Sequence, residues 1–425
     1  MKKADIGLIG LAVMGENLVM NMESKGFTVA VFNRTTSKVD DFVNGRAKGK
    51  NIIGTHTLQE LADNLEKPRK VMMMVKAGQP VDDFIENLLG VLEPGDVIID
   101  GGNSHFPDTI RRTEYVESRG LLYIGTGVSG GEEGALKGPS MMPGGSPEAW
   151  EEVKPIFQSI CAHVEDGSAC CEWVGENGAG HFVKMVHNGI EYGDMELICE
   201  AFQLMRDVLG LGADEMQKIF AKWNETELDS YLIEITGDIL GYKDEDGTPI
   251  VDKILDTAGQ KGTGKWTSIA ALDEGYPLTL ISSAVFARCL SAMKDERVIA
   301  SEAYGRKVKA YIGDKEEFIE KIMLVNAGFD DRLMEYAKFQ LFQNCPGQLD
   351  HEKHRLLFDF SNKEDNLIKF VVFDKENGKH IAGLHIERKD YEAMDNEFKN
   401  TPTLQKELDA LFPNCNVTVD RVFDF

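Results

Sequence analysis

Residues 4–32 hold the pattern that most narrows what this chain can fold into. Ala4 to Gly10 (ADIGLIG) reads as a short buried strand. A glycine-rich turn follows, Gly10-Leu11-Ala12-Val13-Met14-Gly15, and an amphipathic helix then runs towards Ser24-Lys25-Gly26. Thr28 to Phe32 is a second strand. A turn held between strand and helix in this way makes a βαβ unit, in which the N-terminal amides of the helix can hold a pyrophosphate. The fingerprint is GxAxxG rather than GxGxxG, and Ala12 is still small enough to permit close approach. A glycine-rich turn alone also occurs as a simple tight turn. Its place between strand and helix is what favours a dinucleotide cradle.

The end of the second strand selects the nucleotide. An NAD site usually carries an acid about 20 residues on, which hydrogen-bonds the ribose 2′-hydroxyl. Here the strand ends in Asn33-Arg34-Thr35. No carboxylate stands there to repel a 2′-phosphate, and a guanidinium is available to pair with it. An arginine in a turn can also be merely solvated, but the pattern favours NADP over NAD. The α/β rhythm continues through expected strands at Val71–Val75, Val97–Asp100 and Leu121–Gly125. Ligands of open α/β sheets sit beyond the carboxyl ends of the strands. Val75-Lys76-Ala77, Asn103-Ser104 and Ser129-Gly130-Gly131 follow such ends, so one shared crevice is expected.

Charge sets a further bound. The 425 residues carry 71 acids against 46 bases, a net charge of −25, which argues against nucleic-acid or anionic-membrane partners. An anionic substrate would need its basic contacts concentrated locally. Seven cysteines with no CxxC fit a reducing cytosol better than a disulfide framework or a zinc site. Asp5 and Glu16 break the apolar start, so Met1-Lys2-Lys3 is not read as a signal peptide. No uncharged apolar run approaches the ~18 residues of a membrane span. The expectation is a cytoplasmic protein.

Gly178-Ala179-Gly180 leads into a long helical segment, His181 to about Leu209. Phe182, Val183, Met185, Val186, Ile190, Leu197 and Ile198 spread apolar character around it, which predicts a buried helix. Lys184, His187, Asn188 and Glu191 stand at i, i+3, i+4 and i+7, on one face. That spacing also fits a solvated polar stripe with a Lys–Glu pair. Gly189 argues otherwise, because a glycine inside a helix costs about 1 kcal/mol relative to alanine and suggests a close neighbour. A lysine whose pKa is lowered by burial can act as a base, and then as an acid once protonated.

Four stretches together resemble the 6-phosphogluconate dehydrogenase family. They are Gly7–Gly15 with Asn33-Arg34-Thr35, Asp100–Ser104 with Val128–Gly134, His181–Tyr192, and Ile254 to Trp266 (ILDTAGQKGTGKW). The resemblance covers residues 1–322 and implies a Rossmann-like NADP-binding domain at 1–177, followed by an all-α substrate domain at 178–322. It implies that Gly10, Leu11, Ala12, Val13, Met14 and Gly15 cradle the pyrophosphate and that Asn33, Arg34 and Thr35 read the 2′-phosphate. Val75, Lys76, Ala77 and Asn103 would line the rest of the cofactor cleft. Lys184 would be the general base and Glu191 the acid that protonates C1 of the product, ribulose 5-phosphate. No metal is implied, since the lysine ammonium supplies the electrophile. Asn103, Ser129, Gly130, Gly131, His187, Asn188, Tyr192, Lys261, Thr263 and Arg288 would hold 6-phosphogluconate, and a homodimer is implied.

Beyond Lys321-Ile322 the motifs give out, and residues 323–425 read as a small α+β segment of unknown role. Asp365–Asp374 and Lys379–Glu387, flanking Asn377-Gly378, read as a β-hairpin. A helix is expected at Pro402–Phe412 and a strand at Val417–Phe425. Cys345, His351 and His354 match no common metal spacing. The family's further helices, and the tail that brings an arginine and a histidine to the partner's site, are not found there. Two classes of function therefore remain. One is an active dehydrogenase, the other a non-catalytic or impaired NADP- or sugar-acid-binding protein. A 3-hydroxyacid dehydrogenase is disfavoured by Lys261–Trp266 and Arg288.

Overall fold

The computed structural model describes residues 3–304 and 310–326, and further on the strands 354–359, 367–374 and 380–387. By internal contacts the chain divides into two units, residues 1–196 with 256–299, and residues 197–255 with those from 300 on.

The first unit opens with alternating strands and helices: β1 (Ile6–Ile9), α1 (Val13–Ser24), β2 (Val29–Phe32), α2 (Ser37–Asn44), β3 (Ile52–Thr55) and α3 (Leu58–Asp63). It continues through β4 (Lys70–Met73), α4 (Gln79–Leu89), β5 (Val97–Asp100) and α5 (Phe106–Glu117). Then come β6 (Leu122–Ser129), α6 (Gly131–Lys137), β7 (Ser140–Gly145) and α7 (Pro147–Ile160). The sheet order is β3-β2-β1-β4-β5-β6-β7. The strands pair in parallel as far as β6, and β7 is antiparallel to it. Such strands are apolar on both faces because helices cover both. Ile6, Leu8, Val29, Val31 and Ile99 join one cluster with α1 and α7, while Ile9, Ala30, Phe32, Val71 and Ile98 join another with α3 and α4. The order reverses between β1 and β4, which puts the glycine-rich turn at the switch point of a doubly wound sheet.

Helix α8 (Ala179–Asp207) follows the sheet. Its first turns belong to this unit, with α11 (Thr263–Glu274), α12 (Thr279–Ala292) and the start of α13 (Lys294–Tyr304). The second unit packs the remainder of α8 with α9 (Ala213–Trp223), α10 (Tyr231–Gly241) and α14 (Lys315–Asn326), around Met205, Phe220, Trp223, Leu240 and Ile322. It also holds β8 (His354–Asp359), β9 (Leu367–Asp374) and β10 (His380–Glu387), an antiparallel sheet in the order β10-β9-β8. The β9–β10 pair is the hairpin expected from sequence. Its Asn377-Gly378 turn, the helix at Pro402–Phe412, the strand at Val417–Phe425, and Cys345 with His351 lie outside the described residues.

Two expectations need correction. Strand β6 runs to Ser129 instead of ending at Gly125, so Ser129 closes the strand and does not follow it. The antiparallel partner β7 extends the ladder along that additional length. Helix α8 is also not buried all round, since Val183 and Ile190 are 36% and 52% exposed. Where it meets β6, its inward face is set by the glycines of that strand.

Candidate active site

Glycines seat the start of α8 on the sheet. A Cβ on Gly180 would collide with the carbonyl oxygen of Gly125, and one on Gly127 would collide with the Cβ of Lys184. Backbones can approach so closely only where side chains are missing, and the result is to plant Lys184 against β6. Lys184 is only 6% exposed. Burial lowers its pKa from the usual lysine value, against the opposing pull of the Glu191 charge. One turn earlier His181 is buried as well, with its Nδ1 2.7 Å from the Thr109 hydroxyl of α5.

The rest of the polar seam gathers beside Lys184. Ser129 Oγ, at the end of β6, lies 3.4 Å from His187 Nε2. His187 Nδ1 is 3.4 Å from the Glu191 carboxylate and 3.4 Å from Asn188 Oδ1. The bond to His187 lowers the pKa of Glu191; burial raises it by less, and the His187 and Lys184 charges lower it further. Glu191 is therefore a carboxylate in the free protein near neutrality. For Lys184 at least, a solvated stripe is excluded.

Helix α11 closes over this seam. Asn188 Nδ2 donates to Thr263 Oγ1 at 3.5 Å, and Thr267 Oγ1 donates to the Met185 carbonyl at 2.9 Å. A Cβ on Gly189 would stand 3.0 Å from the Thr267 side chain, so Thr267 is the close neighbour that the helix glycine admits. Lys261 is exposed just before the left-handed Gly262 (φ +104°) that opens the helix. Tyr192 is buried beside Ala284 and Val285 of α12. The Arg288 guanidinium lies 3.7 Å from the centre of the Tyr192 ring and donates to the Gly259 carbonyl at 2.6 Å. The signature stretch thus carries Thr263 to α8, and its Trp266 lies against His105 with ring centres 4.6 Å apart and planes tilted by 32°.

At the β1 end, Gly10 takes φ +107°, a conformation that side chains disfavour, and Ala12 caps α1 with its backbone alone. Its side chain makes no capping bond, which among the described residues leaves the first amides of α1 available to an anion. Asn33 Oδ1 accepts from the Leu11 amide at 3.0 Å and Asn33 Nδ2 donates to the Thr35 carbonyl at 3.0 Å. Asn33 therefore braces the turn, while Arg34 and Thr35 are exposed next to it with no acid between them. The residues fit a dinucleotide with a 2′-phosphate. Lys76 is exposed after β4, and Asn103 is exposed between the buried Gly102 and Ser104 after β5. Sequence reasoning missed His181, Thr267 and the buried groups beneath Asn103; the Gly125-x-Gly127 pair was the available sign of a close helix.

Known proteins resemble this chain over most of its length. Residues 5–175 match the NAD binding domain of 6-phosphogluconate dehydrogenase, and residues 180–347 match that family's C-terminal domain. The second match runs 25 residues past the edge at 322 to which the motifs extend. A decarboxylating 6-phosphogluconate dehydrogenase of Haemophilus influenzae is 61% identical over 81% of this chain and 71% of its own length. The human enzyme of that name is 58% identical over 80% and 70%. The Plasmodium falciparum 6-phosphogluconate dehydrogenase, solved with its cofactor NADP+ and its substrate 6-phosphogluconate, superposes with TM-score 0.73 at 40% identity, covering 80% of this chain and 75% of its own. A Mycobacterium tuberculosis 3-hydroxyisobutyrate dehydrogenase shares the fold at 20% identity and TM-score 0.52, over 70% of this chain and 94% of its own. The chain belongs to the 6-phosphogluconate dehydrogenase family.

Proposed function

We propose that the chain oxidises 6-phosphogluconate at C3 and decarboxylates it to ribulose 5-phosphate, with NADP as its redox cofactor. NADP, when bound, supplies the hydride acceptor. Residues 1–177 form its domain in this reading. The backbone of Gly10–Gly15 cradles the pyrophosphate, Arg34 and Thr35 meet the 2′-phosphate, and Val75, Lys76, Ala77 and Asn103 line the remaining cleft.

Residues 178–322 supply the substrate domain and the proton chemistry. The buried Lys184, held near Glu191 with His187 between them, carries the proposal. Burial favours the neutral amine, which takes the proton of the C3 hydroxyl. The ammonium so formed returns that proton to the 3-keto oxygen as C1 leaves as CO2, which gives an enediol. Lys184 then removes the proton from this oxygen again, while Glu191 delivers one to C1 of the ketose. Because His187 keeps Glu191 ionised in the free protein, Glu191 takes up its proton from solvent during turnover, and Lys184 releases one to solvent as the cycle closes. Asn103, Ser129, Gly130, Gly131, His187 and Asn188 hold the sugar acid, and Tyr192, Lys261, Thr263 and Arg288 hold its phosphate end. Those two bases give a strongly acidic chain the local positive charge its substrate needs.

The same family resemblance leads us to place the protein as a cytoplasmic homodimer of the pentose phosphate pathway. Among the described residues, no helix is long and apolar enough to cross a membrane. The test is NADP reduction with 6-phosphogluconate and, separately, with 3-hydroxyisobutyrate. Turnover only with 6-phosphogluconate supports the reading. Turnover only with the simple 3-hydroxy acid would reject it.

A further inference from the structure

Beneath the exposed Asn103 lies a group of buried charges that the proposed chemistry does not use. Asp100, at the end of β5, is fully buried. Its Oδ1 accepts from the Gly102 amide at 3.1 Å, and its Oδ2 accepts from Ser104 Oγ at 2.6 Å and the Tyr123 hydroxyl at 3.3 Å. The carboxylate therefore ties the 100–104 loop into a knot from which Asn103 projects. Arg112 of α5, 1% exposed, has Nη1 3.4 Å from Ser104 Oγ and 3.8 Å from Asp100 Oδ2. Its other edge points to the first turn of α4 and the loop that precedes it. Nε and Nη2 donate to the two oxygens of Asp82 at 2.9 and 2.8 Å, and Nη2 also donates to the Gly78 carbonyl at 3.0 Å. Gly78 ends the Val75-Lys76-Ala77 turn and precedes α4.

We propose that Arg112 is a positioning residue, a buried strut that fixes the spacing between the loop carrying Lys76 and the loop carrying Asn103. The proposal rests on the reading of both loops as ligand-lining. Two features of the arrangement support it. Desolvation makes a buried ion pair a poor source of stability compared with an apolar filling of the same shape, so its value lies in geometry. A planar guanidinium can also hold acceptors on two edges at once, whereas an ammonium is a single point charge. The two loops follow neighbouring strands, β4 and β5, and the backbone bond from the Gly101 amide to the Met73 carbonyl, at 2.9 Å, stops short of both tips. Arg112 spans that gap from behind, leaving Lys76 and Asn103 facing outward.

The test uses the whole chain and the variants Arg112→Lys and Ser104→Ala. Hydrogen exchange at residues 75–78 and 101–104 reads the strut directly and does not require turnover. In Arg112→Lys the amides of both loops should exchange faster together. The Michaelis constants for NADP and 6-phosphogluconate should both rise, by about tenfold or more, since a misplacement near 1 Å can cost ~10²-fold. The acid limb of the pH profile, set by Lys184, should stay in place. Ser104→Ala removes only a hydroxyl, and covers the case in which Arg112→Lys fails to fold. It should loosen 75–78 as well, a loop that the Ser104 hydroxyl reaches only through Arg112. Exchange that rises in one loop only, or Michaelis constants within twofold of wild type beside a lowered melting temperature, would overturn the strut. A wild-type protein inactive with 6-phosphogluconate would instead reject the functional reading, while the exchange data would still decide the strut.

Discussion

Gly127→Ala tests how Lys184 is placed without replacing any group that reacts. Gly127 lies in the middle of β6, and its φ is not among the positive values, so an alanine backbone fits there. The added methyl would nevertheless collide with the Cβ of Lys184. Carbon atoms pack at ~3.5–4.0 Å, so β6 and α8 would have to part by roughly 1 Å or more. Overpacking of this kind costs about 1–3 kcal/mol of stability. A displacement near 1 Å at a reacting group can cost ~10²-fold in rate. We expect kcat with saturating NADP and 6-phosphogluconate to fall about a hundredfold, with a lower melting temperature. Binding of NADPH, followed by fluorescence, should stay within about twofold, because β4 and β5 separate β6 from the β1 turn. A kcat within twofold of wild type would refute the claim that this close packing positions the lysine.

Other substitutions separate the remaining roles. Arg34→Asp should weaken NADP binding far more than NAD binding in parallel titrations; equal losses would reduce Arg34 to a turn residue. Glu191→Gln should slow ribulose 5-phosphate release more than NADP reduction, and equal slowing would remove Glu191 from the final protonation. In the pH profile of kcat/KM the limb belonging to the base should lie below the ordinary lysine value of 10.5, because burial favours the neutral amine. The sign also carries into stability. A lysine with a depressed folded pKa destabilises fully below that pKa, and the penalty fades as pH rises towards the unfolded value. Lys184→Met should therefore raise the melting temperature most at neutral pH and least near pH 10.5, and the reverse trend would contradict the shift.

The parts of the fold that announce themselves locally were legible in the sequence. The β1 turn, β2 and β5 combine short apolar runs with glycine punctuation, and each lies where the pattern puts it. β3 and β7 escaped notice for identifiable reasons. Ile52–Thr55 offers only two strongly apolar residues, and Ser140–Gly145 contains a proline and two glycines, which suit an antiparallel edge and otherwise read as a loop. The seam Lys184, His187, Asn188 and Glu191 could be placed on one face from spacing alone. Its direction could not, because apolar residues lie around most of the helix and it is the glycines of β6 that point Lys184 inward. Arg112 was hidden most completely, since its partners Asp82 and Ser104 stand 30 and 8 residues away and only the folded sheet brings them to one guanidinium.

The central claim is that one buried lysine serves both oxidation and decarboxylation, and a coupled assay of NADPH and CO2 tests it most directly. Wild-type protein given 6-phosphogluconate and NADP should release one CO2 for each NADPH formed. Lys184→Met should abolish both together while still binding NADPH. NADPH formation that persists in Lys184→Met, or wild-type protein that yields NADPH without CO2, would contradict the account.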